Sequence, residues 1–378
     1  MGGCQGHMVH PYEDTSLTLS ELSELFTATH FNTSKNNFRC EKFDGINLIF
    51  KYNGHDLVFA RSHTDLRSGG LKIDQLSNRF KDQPEIGIVM ESAMQSLSLA
   101  FETVRDKTKF MDYWRSLDVL SKEQANVIHY DIDAIAIHPV YLNDSGELFP
   151  MIDETISFEG QWGEWLIIGP RKLGSLGSNE SVMKAINAIS SLPYVLNTKS
   201  ENVSLADIYR HKIELLALDA QIPMDLVGKV AKRILKEDGY QNLTELKKLV
   251  RYSSDIPILQ AFVKDERNVL KKARFEVEEI VHSFSVQMMS DVESVLISDS
   301  QAEISRLREK MVDTFNKFCG SDHDEFIRLQ FRRLGQLTNI NSSIEGIVVY
   351  YEKKNTFYKF TGWFAPTGQA LGVERYGR

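Results

Sequence analysis

The stretch Glu41-Lys42-Phe43-Asp44-Gly45-Ile46-Asn47 places a single lysine between two segments of strand-like composition. Residues 37–40 read as extended chain, and residues 48–52 form a β-rich run that reaches Asn53-Gly54, a strong hairpin-turn signal. A second predicted strand follows at residues 56–62. The sequence therefore predicts sheet structure on both sides of Lys42, with the lysine at the turn.

The chemistry of Lys42 makes it the candidate nucleophile. A lysine amine attacks a phosphate only when its proton is removed or its pKa is lowered, and the triphosphate under attack needs cationic partners. Asp44, two residues further on, supplies a carboxylate at the same turn. The alternative is a hairpin whose lysine is merely solvated, because so short a motif also arises by chance.

Length and composition indicate a globular chain with one large core or two smaller ones. The chain has 378 residues, of which 42% are hydrophobic, and a formal net charge of −8. It contains no apolar run long enough to span a bilayer, and residues 1–7 lack the features of a signal peptide. The three cysteines are scattered, which fits a reducing compartment, so we expect a soluble cytoplasmic protein without a membrane partner. Because the net charge is negative, we expect any nucleic-acid contact to be local.

Strand and helix signals divide the chain into segments. Up to about residue 170, predicted strands at 126–130, 134–138, 156–158 and 164–168 accompany predicted helices at 73–80 and 85–104. From about residue 179 to 335, strand signals vanish and apolar residues follow helical spacing. Strands return at residues 346–351 and 357–361, and because two strands are unstable alone, we expect them to join the earlier sheet. The predicted class is α+β, with the helical block as an insertion or lobe.

The C-terminal hairpin adds two charged residues to the candidate site. Glu345 stands at the mouth of an apolar strand, and Lys359 lies in the neighbouring strand of the same hairpin. With Lys42 and Asp44 they supply what nucleotidyl transfer requires: an amine to attack a phosphate, carboxylates to hold a divalent cation, and a second lysine to offset negative charge.

These motifs together resemble the covalent nucleotidyltransferase superfamily of ATP-dependent polynucleotide ligases and capping enzymes, in particular phage-type RNA or DNA ligase-like proteins. Residues 41–47 are similar to the Glu-Lys-x-His-Gly-Thr-Asn motif of phage and RNA-editing RNA ligases. The resemblance implies an ATP-grasp-like adenylation core of antiparallel sheets, formed by residues 1–175 and 337–378. Residues 176–336 would then be the helical lobe.

The resemblance also implies roles for the residues of this first motif. Lys42 would carry AMP through a phosphoamide bond, and Glu41 would contact the adenine. Asn47 would lie near the ribose or the nucleic-acid end, while Asp44 and Gly45 would complete the nucleotide-binding motif.

Two further motifs would reach the nucleotide. Arg61 is similar to the arginine that contacts the ribose in this family. Asp118 stands in the region of the third motif, where the family usually has Glu, and would also contact the ribose. Glu102 is the competing candidate for that acidic position, although its surroundings predict a helix.

The last two motifs lie in the C-terminal hairpin. Glu345 matches the glutamate that positions a metal ion, so it is the predicted metal ligand. Lys359 matches the fifth motif, which usually has two lysines, and it would act alone or with Lys353 or Lys354.

The implied function is an ATP- and Mg²⁺-dependent ligase that joins 5′-phosphate and 3′-hydroxyl ends of nucleic acid. The match at Asn47 favours RNA over DNA as the substrate. If the chain is phage-encoded, the enzyme would act in an infected host cell. The alternatives are a catalytically degenerate scaffold or nucleic-acid-binding protein and, less favoured, a GTP-dependent capping enzyme. Basic clusters at residues 271–274 and 328–333 are candidate phosphate contacts, although solvated helix faces explain them equally well.

Overall fold

A computed structural model describes residues 8–31, 38–123, 130–151, 156–170, 173–174, 176, 179–198, 200, 202–237, 243–290, 292 and 344–361. The described residues combine helices and sheets and form two compact units. Unit 1 comprises those within 1–9, 31–177 and 285–378, and unit 2 those within 10–30 and 178–284.

The elements of the described chain, apart from short 3-10 turns, follow in chain order. They are α1 (Leu19–Phe31), β1 (Phe38–Lys42), β2 (Ile46–Tyr52), β3 (Leu57–Ala60), α2 (His63–Arg67), α3 (Ile73–Ser77), α4 (Pro84–Glu102), β4 (Trp114–Leu120), β5 (Ala134–Leu142), β6 (Leu148–Pro150), β7 (Gly160–Trp162), β8 (Trp165–Ile168), α5 (Glu180–Ser190), α6 (Pro193–Thr198), α7 (Leu205–Asp219), α8 (Met224–Ile234), α9 (Leu243–Lys248), α10 (Asp255–Lys264), α11 (Glu266–Met289), β9 (Gly346–Tyr351) and β10 (Thr356–Thr361).

The smaller sheet of unit 1 joins distant parts of the chain. Its three antiparallel strands lie in the order β1-β9-β10. The predicted hairpin at residues 346–361 is present, and its first strand pairs with β1 so that Lys42 lies opposite Gly346. The C-terminal hairpin therefore ends beside the turn that follows Lys42.

The larger sheet of unit 1 has strand order β3-β2-β4-β5-β8-β7, with β6 added beside part of β5. Its pairs are antiparallel except for β5 with β8. The strands β2 and β3 form the hairpin predicted from Asn53-Gly54. Because β1 and β2 belong to different sheets, residues 43–45 carry the chain from one sheet to the other.

The two faces of the larger sheet have different partners. On one face, α4 contributes an apolar stripe at helical spacing, including Met90, Met94 and Leu97, to the largest apolar cluster of unit 1. On the other face, Val140 of β5 packs in one cluster with Val348 of β9 and neighbours from β1 and β10. The two sheets therefore face each other.

Unit 2 is built from helices in its described residues. The predicted helix start at residues 204–207 is confirmed, because the Ser204 hydroxyl accepts a hydrogen bond from the Asp207 N–H (3.1 Å) in a capping box at the start of α7. No helix among the described residues is both long and apolar enough to cross a membrane.

Residues 10–30 depart from the predicted division, which placed all of residues 1–175 in the core. They belong to unit 2, where the Leu19 N–H donates a hydrogen bond to the Val203 carbonyl (2.9 Å) just before α7. An amphipathic helix such as α1 indicates that it packs on a core but does not show which one.

One predicted strand is absent. Ile156 and Phe158 instead occupy a turn, and both side chains are buried in the cluster that contains α4. The Trp162 indole N–H donates to the Phe158 carbonyl (2.9 Å), which takes the place of a strand partner. The prediction at residues 126–130 lies outside the described residues except for Tyr130, whereas 134–138 and 164–168 fall in or beside β5 and β8.

A buried hydrogen bond between Tyr209 and Tyr12 provides a test of the unit 2 assignment. The Tyr209 hydroxyl donates to the Tyr12 carbonyl (2.7 Å), and both side chains are buried. Tyr209→Phe should lower the free energy of unfolding by about 0.5–1.5 kcal/mol, because it removes one satisfied buried hydrogen bond. Urea denaturation measures the change, and Tyr252→Phe, on a side chain that is 69% exposed, is the matched control. Equal effects of the two substitutions would contradict the assignment.

Candidate functional site

Lys42 lies where the chain leaves the small sheet. It ends β1, and its partner in the register, Gly346, directly follows Glu345. The Lys42 Nζ donates a hydrogen bond to the Glu345 carboxylate and a longer one (3.4 Å) to the Phe43 carbonyl. The side chains of Lys42 and Glu345 are 21% and 12% exposed. The structure thus brings together two predicted site residues from opposite ends of the chain.

Asp118 lies on the face of the larger sheet that is turned toward the small sheet. It is in β4, opposite Asn47 of β2 and Ala136 of β5. The Asn47 Nδ2 donates to Asp118 Oδ1 (3.3 Å), and the His138 Nε2 lies 3.0 Å from Asp118 Oδ2. Asp118 therefore lies on the face turned toward Lys42, whereas Glu102 ends α4 and lines a groove with Phe101 on that helix's side of the sheet.

The turn after Lys42 is pressed against β4. A side chain at Gly45 would place its Cβ 2.8 Å from both the Asp118 Cβ and the Val119 carbonyl oxygen, so only glycine fits there. The Asp44 N–H donates to the Tyr130 hydroxyl (3.1 Å), whose pKa is raised by burial. Gly45 and Asp44 therefore set how closely Lys42 approaches the larger sheet.

The charges around Lys42 favour its protonated form. Burial lowers the pKa of Lys42, but the carboxylates of Glu345, Asp118 and Asp44 raise it, and the net direction is upward. A lysine in this state is an ammonium ion that balances nearby negative charge. To act as a nucleophile it must first give up its proton.

The two carboxylates nearest Lys42 are shifted in opposite directions. Burial raises the pKa of Glu345 to about 7 in spite of Lys42, and the charges of Asp44 and Asp118 act in the same direction as burial. Burial also raises the pKa of Asp118, but His138, Lys42 and Asn47 outweigh it and lower the pKa. Asp118 is therefore an anion at neutral pH, whereas Glu345 exchanges its proton near neutrality.

Lys359 lies on the same face of the small sheet as Lys42. It pairs with Val348, which pairs in turn with Cys40, two residues before Lys42. Its side chain is partly buried.

The suggested helpers of Lys359 are not close to the site. Lys353 and Lys354 lie in the hairpin turn at the other end of β9, roughly 17 Å along the strand from Gly346 at about 3.3 Å per residue. Lys353 and Lys354 therefore lie at the end of the small sheet that is remote from Lys42.

Two predicted nucleotide contacts are not brought to this face. Glu41 alternates with Lys42 along β1, so its buried side chain lies on the opposite face of the small sheet. Arg61 follows β3, and its guanidinium carbon lies 4.6 Å from the centre of the Phe80 ring, in the apolar cluster that contains α4. Because side chains alternate between the two faces of a strand, Glu41 and Lys42 lie on opposite faces although they are adjacent in sequence.

Of the basic clusters, only residues 271–274 lie in the described chain. Arg274 is partly buried, with its guanidinium within 3.4 Å of Glu278, 3.8 Å of Glu13 and 5.4 Å of the Tyr12 ring centre. Arg274 thus serves the interior of unit 2 rather than an open phosphate-binding face. Residues 328–333 lie outside the described residues.

Sequence reasoning missed His138 and Tyr130 as parts of the site. His138 is the one strongly polar residue in the run Ala134-Ile135-Ala136-Ile137-His138, and it shares a face with the small residues Ala134 and Ala136. The alternation of apolar residues along this strand was the sequence signal that could have placed His138 on the same face as the site. A histidine in an apolar strand is also compatible with a simple core position, so the pattern alone did not assign it.

Glu345 makes stability depend on pH in a defined direction. Its folded pKa of about 7 lies above the ordinary glutamate value of 4.5, so the folded chain binds this proton more tightly than the unfolded chain. The resulting stabilisation is fully present below pH 4.5 and is lost as the pH rises through 7. We expect the free energy of unfolding of the wild type, relative to Glu345→Gln, to fall over this range. Urea denaturation of both proteins at several pH values measures it, and a difference that rises with pH would be contrary to this expectation.

Gly45→Ala should push the turn away from β4, because the new Cβ meets backbone and Cβ atoms that cannot move aside easily. We expect a loss of about 1–3 kcal/mol in the free energy of unfolding, as for other overpacked positions. The matched control is Gly174→Ala, where no atom lies within 4 Å of the added Cβ. Denaturation of the two variants gives the comparison, and a neutral Gly45→Ala would show that the turn is not held against β4.

Comparisons of the chain with protein-family models, curated proteins and solved structures find no match. The resemblance to nucleotidyltransferases therefore rests on the short motifs alone.

Proposed function

We propose that the chain is an ATP-dependent polynucleotide ligase-type adenylyltransferase, which forms a lysyl-AMP intermediate and seals nucleic-acid ends. The observation that supports this most strongly is the contact between Lys42 Nζ and the Glu345 carboxylate, beside Asp118 and between two facing sheets. These are the residues to which the resemblance assigns the nucleophile, the metal ligand and the acidic nucleotide contact. Their assembly from three distant segments supports a shared chemical role.

In the proposed first step, Nζ of Lys42 attacks the α-phosphorus of ATP. A P–N bond forms, the bond from that phosphorus to the bridging oxygen of the β-phosphate breaks, and pyrophosphate leaves. The proton lost by Nζ leaves with the pyrophosphate, whose oxygens are basic, because Glu345 is assigned to the metal ion.

Other residues of the same face would bind and orient the nucleotide. Asp118, held by Asn47, would accept a hydrogen bond from a ribose hydroxyl, which fits its ionised state. Lys359, on the face of Lys42, would offset negative charge on the departing phosphates. Glu41 and Arg61 have no part in this arrangement, since they lie on other faces.

The oxygen donors beside Lys42 fit Mg²⁺. Among the described residues, no group of three or more His, Cys, Asp or Glu side chains is placed to hold a metal ion by itself. Mg²⁺ is usually held by one or two carboxylates together with phosphates and water. Glu345, with Asp44, would hold the ion, which when bound supplies positive charge that offsets the triphosphate.

The later steps would use the same site. The AMP passes from Lys42 to the 5′-phosphate of a nucleic-acid end, and a 3′-hydroxyl then attacks that phosphate and displaces AMP. RNA is the favoured substrate, because Asn47 matches the RNA-ligase form of the first motif and lies beside Asp118.

A noncatalytic scaffold is the second candidate, and one observation favours it. Lys42 is protonated and paired with Glu345, as in an ion pair that has a structural role. The two functions differ in whether any nucleoside triphosphate transfers its nucleotide to the protein.

Labelling with ATP tests the proposal. The wild type, incubated with Mg²⁺ and ATP labelled at the α-phosphate, should acquire label that is stable to alkali and released by acid. Lys42→Ala and the nearly isosteric Lys42→Met should lose it completely, while circular dichroism shows that they remain folded. Lys72→Ala, at a lysine that is 62% exposed, is the control and should retain the label. Label that persists in the Lys42 variants would reject Lys42 as the nucleophile.

Labelling of the wild type by GTP alone would indicate a capping-type guanylyltransferase. No labelling by any nucleoside triphosphate would favour the noncatalytic scaffold.

A further inference from the structure

An irregularity in β5 begins at His138. The register between β4 and β5 shifts so that Ser116 alone lies opposite residues 138–140. Pro139 lies within this bulge, where its missing N–H costs no ladder hydrogen bond. Bulges are frequent beside active sites. His138 itself continues the alternation of the strand, so its side chain lies on the same face of the sheet as Asp118.

Asn47 and His138 flank the two oxygens of Asp118. The His138 Nε2 lies 3.0 Å from Oδ2, and the Asn47 Nδ2 lies 3.3 Å from Oδ1. Asn47 is itself held, since its Nδ2 also lies 3.2 Å from the Leu117 carbonyl. The side chains of His138 and Asp118 are only 5% and 7% exposed. A carboxylate flanked at both oxygens in so confined a place has little rotational freedom.

The direction in which Asp118 is held matters for the proposed chemistry. Its charge acts on Lys42, so the carboxylate and the candidate nucleophile belong to the same cluster. Asp is shorter by one methylene than the Glu that is usual in the family the chain resembles. A shorter side chain at this position relies more on its neighbours to direct it.

We propose that His138 is a positioning residue, which orients the Asp118 carboxylate toward the ribose of bound ATP. The inference rests on the proposed function, because it assigns a role within the same nucleotide site. His138 itself does not touch the nucleotide; it acts through Asp118. Its contribution is therefore to affinity for the nucleotide rather than to the bond-making step.

Two substitutions of comparable bulk test this role. His138→Gln keeps an amide that can donate to Asp118, whereas His138→Leu fills the space without a donor. In single-turnover labelling at varied ATP concentration, His138→Leu should raise the half-saturating concentration about 10- to 100-fold, as expected for loss of one close polar contact to a charged group. The maximal rate should change little, and His138→Gln should retain most of the wild-type affinity.

The combination with Asp118→Asn shows whether His138 acts through Asp118. If it does, adding His138→Leu to Asp118→Asn changes the affinity little, and the two effects are not additive. Full additivity would overturn the inference. So would equal losses in the Leu and Gln variants, because a purely structural role does not depend on a donor. If His138→Leu fails to fold, His138→Asn, whose shorter amide falls short of Asp118, takes its place.

Calorimetric titration with ATP separates failure of the inference from failure of the proposed function. A wild type that binds ATP without acquiring label would reject the adenylyltransferase. The loss of affinity in His138→Leu would still support the role of His138 in that case, and unchanged affinity would overturn it. A wild type that does not bind ATP would overturn both.

Discussion

The candidate site depends on the pairing of β1 with β9. Lys42 ends the first of these strands and Glu345 directly precedes the second, although 303 positions separate them in the chain. The ladder that closes the small sheet therefore also sets the distance between the amine and the carboxylate. Backbone hydrogen bonds hold this distance, so it does not rely on the conformation of a long loop.

The polar side chains between the two sheets form an unequal set of charges. Among the described residues, three carboxylates lie around Lys42, and Lys359 is a second ammonium on that face of the small sheet. Buried charges are tolerated when they are paired and hydrogen-bonded. An excess of negative charge in a cleft attracts a cation or a cation-bound ligand. Burial is the largest cause of the raised pKa of Glu345, whereas charged and hydrogen-bonding neighbours outweigh burial at Asp118 and lower its pKa.

Local patterns predicted the strands beside Lys42 and the hairpin at residues 346–361, because alternation and turn residues are local properties. Partner choice could not be predicted, since alternation assigns faces but not neighbours. The sequence pattern therefore could not predict that β1 and β2 belong to two different sheets. The apolar residues within 156–158 correctly predicted that this segment is buried, but the predicted strand was wrong. His138 was missed because its neighbour Asp118 belongs to another strand, and alternation within β5 assigns a face but not that neighbour.

Strand order has a consequence for how the protein is made. Because β9 is the strand partner of β1 in the described part of the chain, this pairing forms only after about 303 further positions have been synthesised. At 5–20 residues per second, that separation corresponds to a delay on the order of 15–60 s. During this interval the edge of β1 that later pairs with β9 is uncovered, and Lys42 lacks the carboxylate of Glu345.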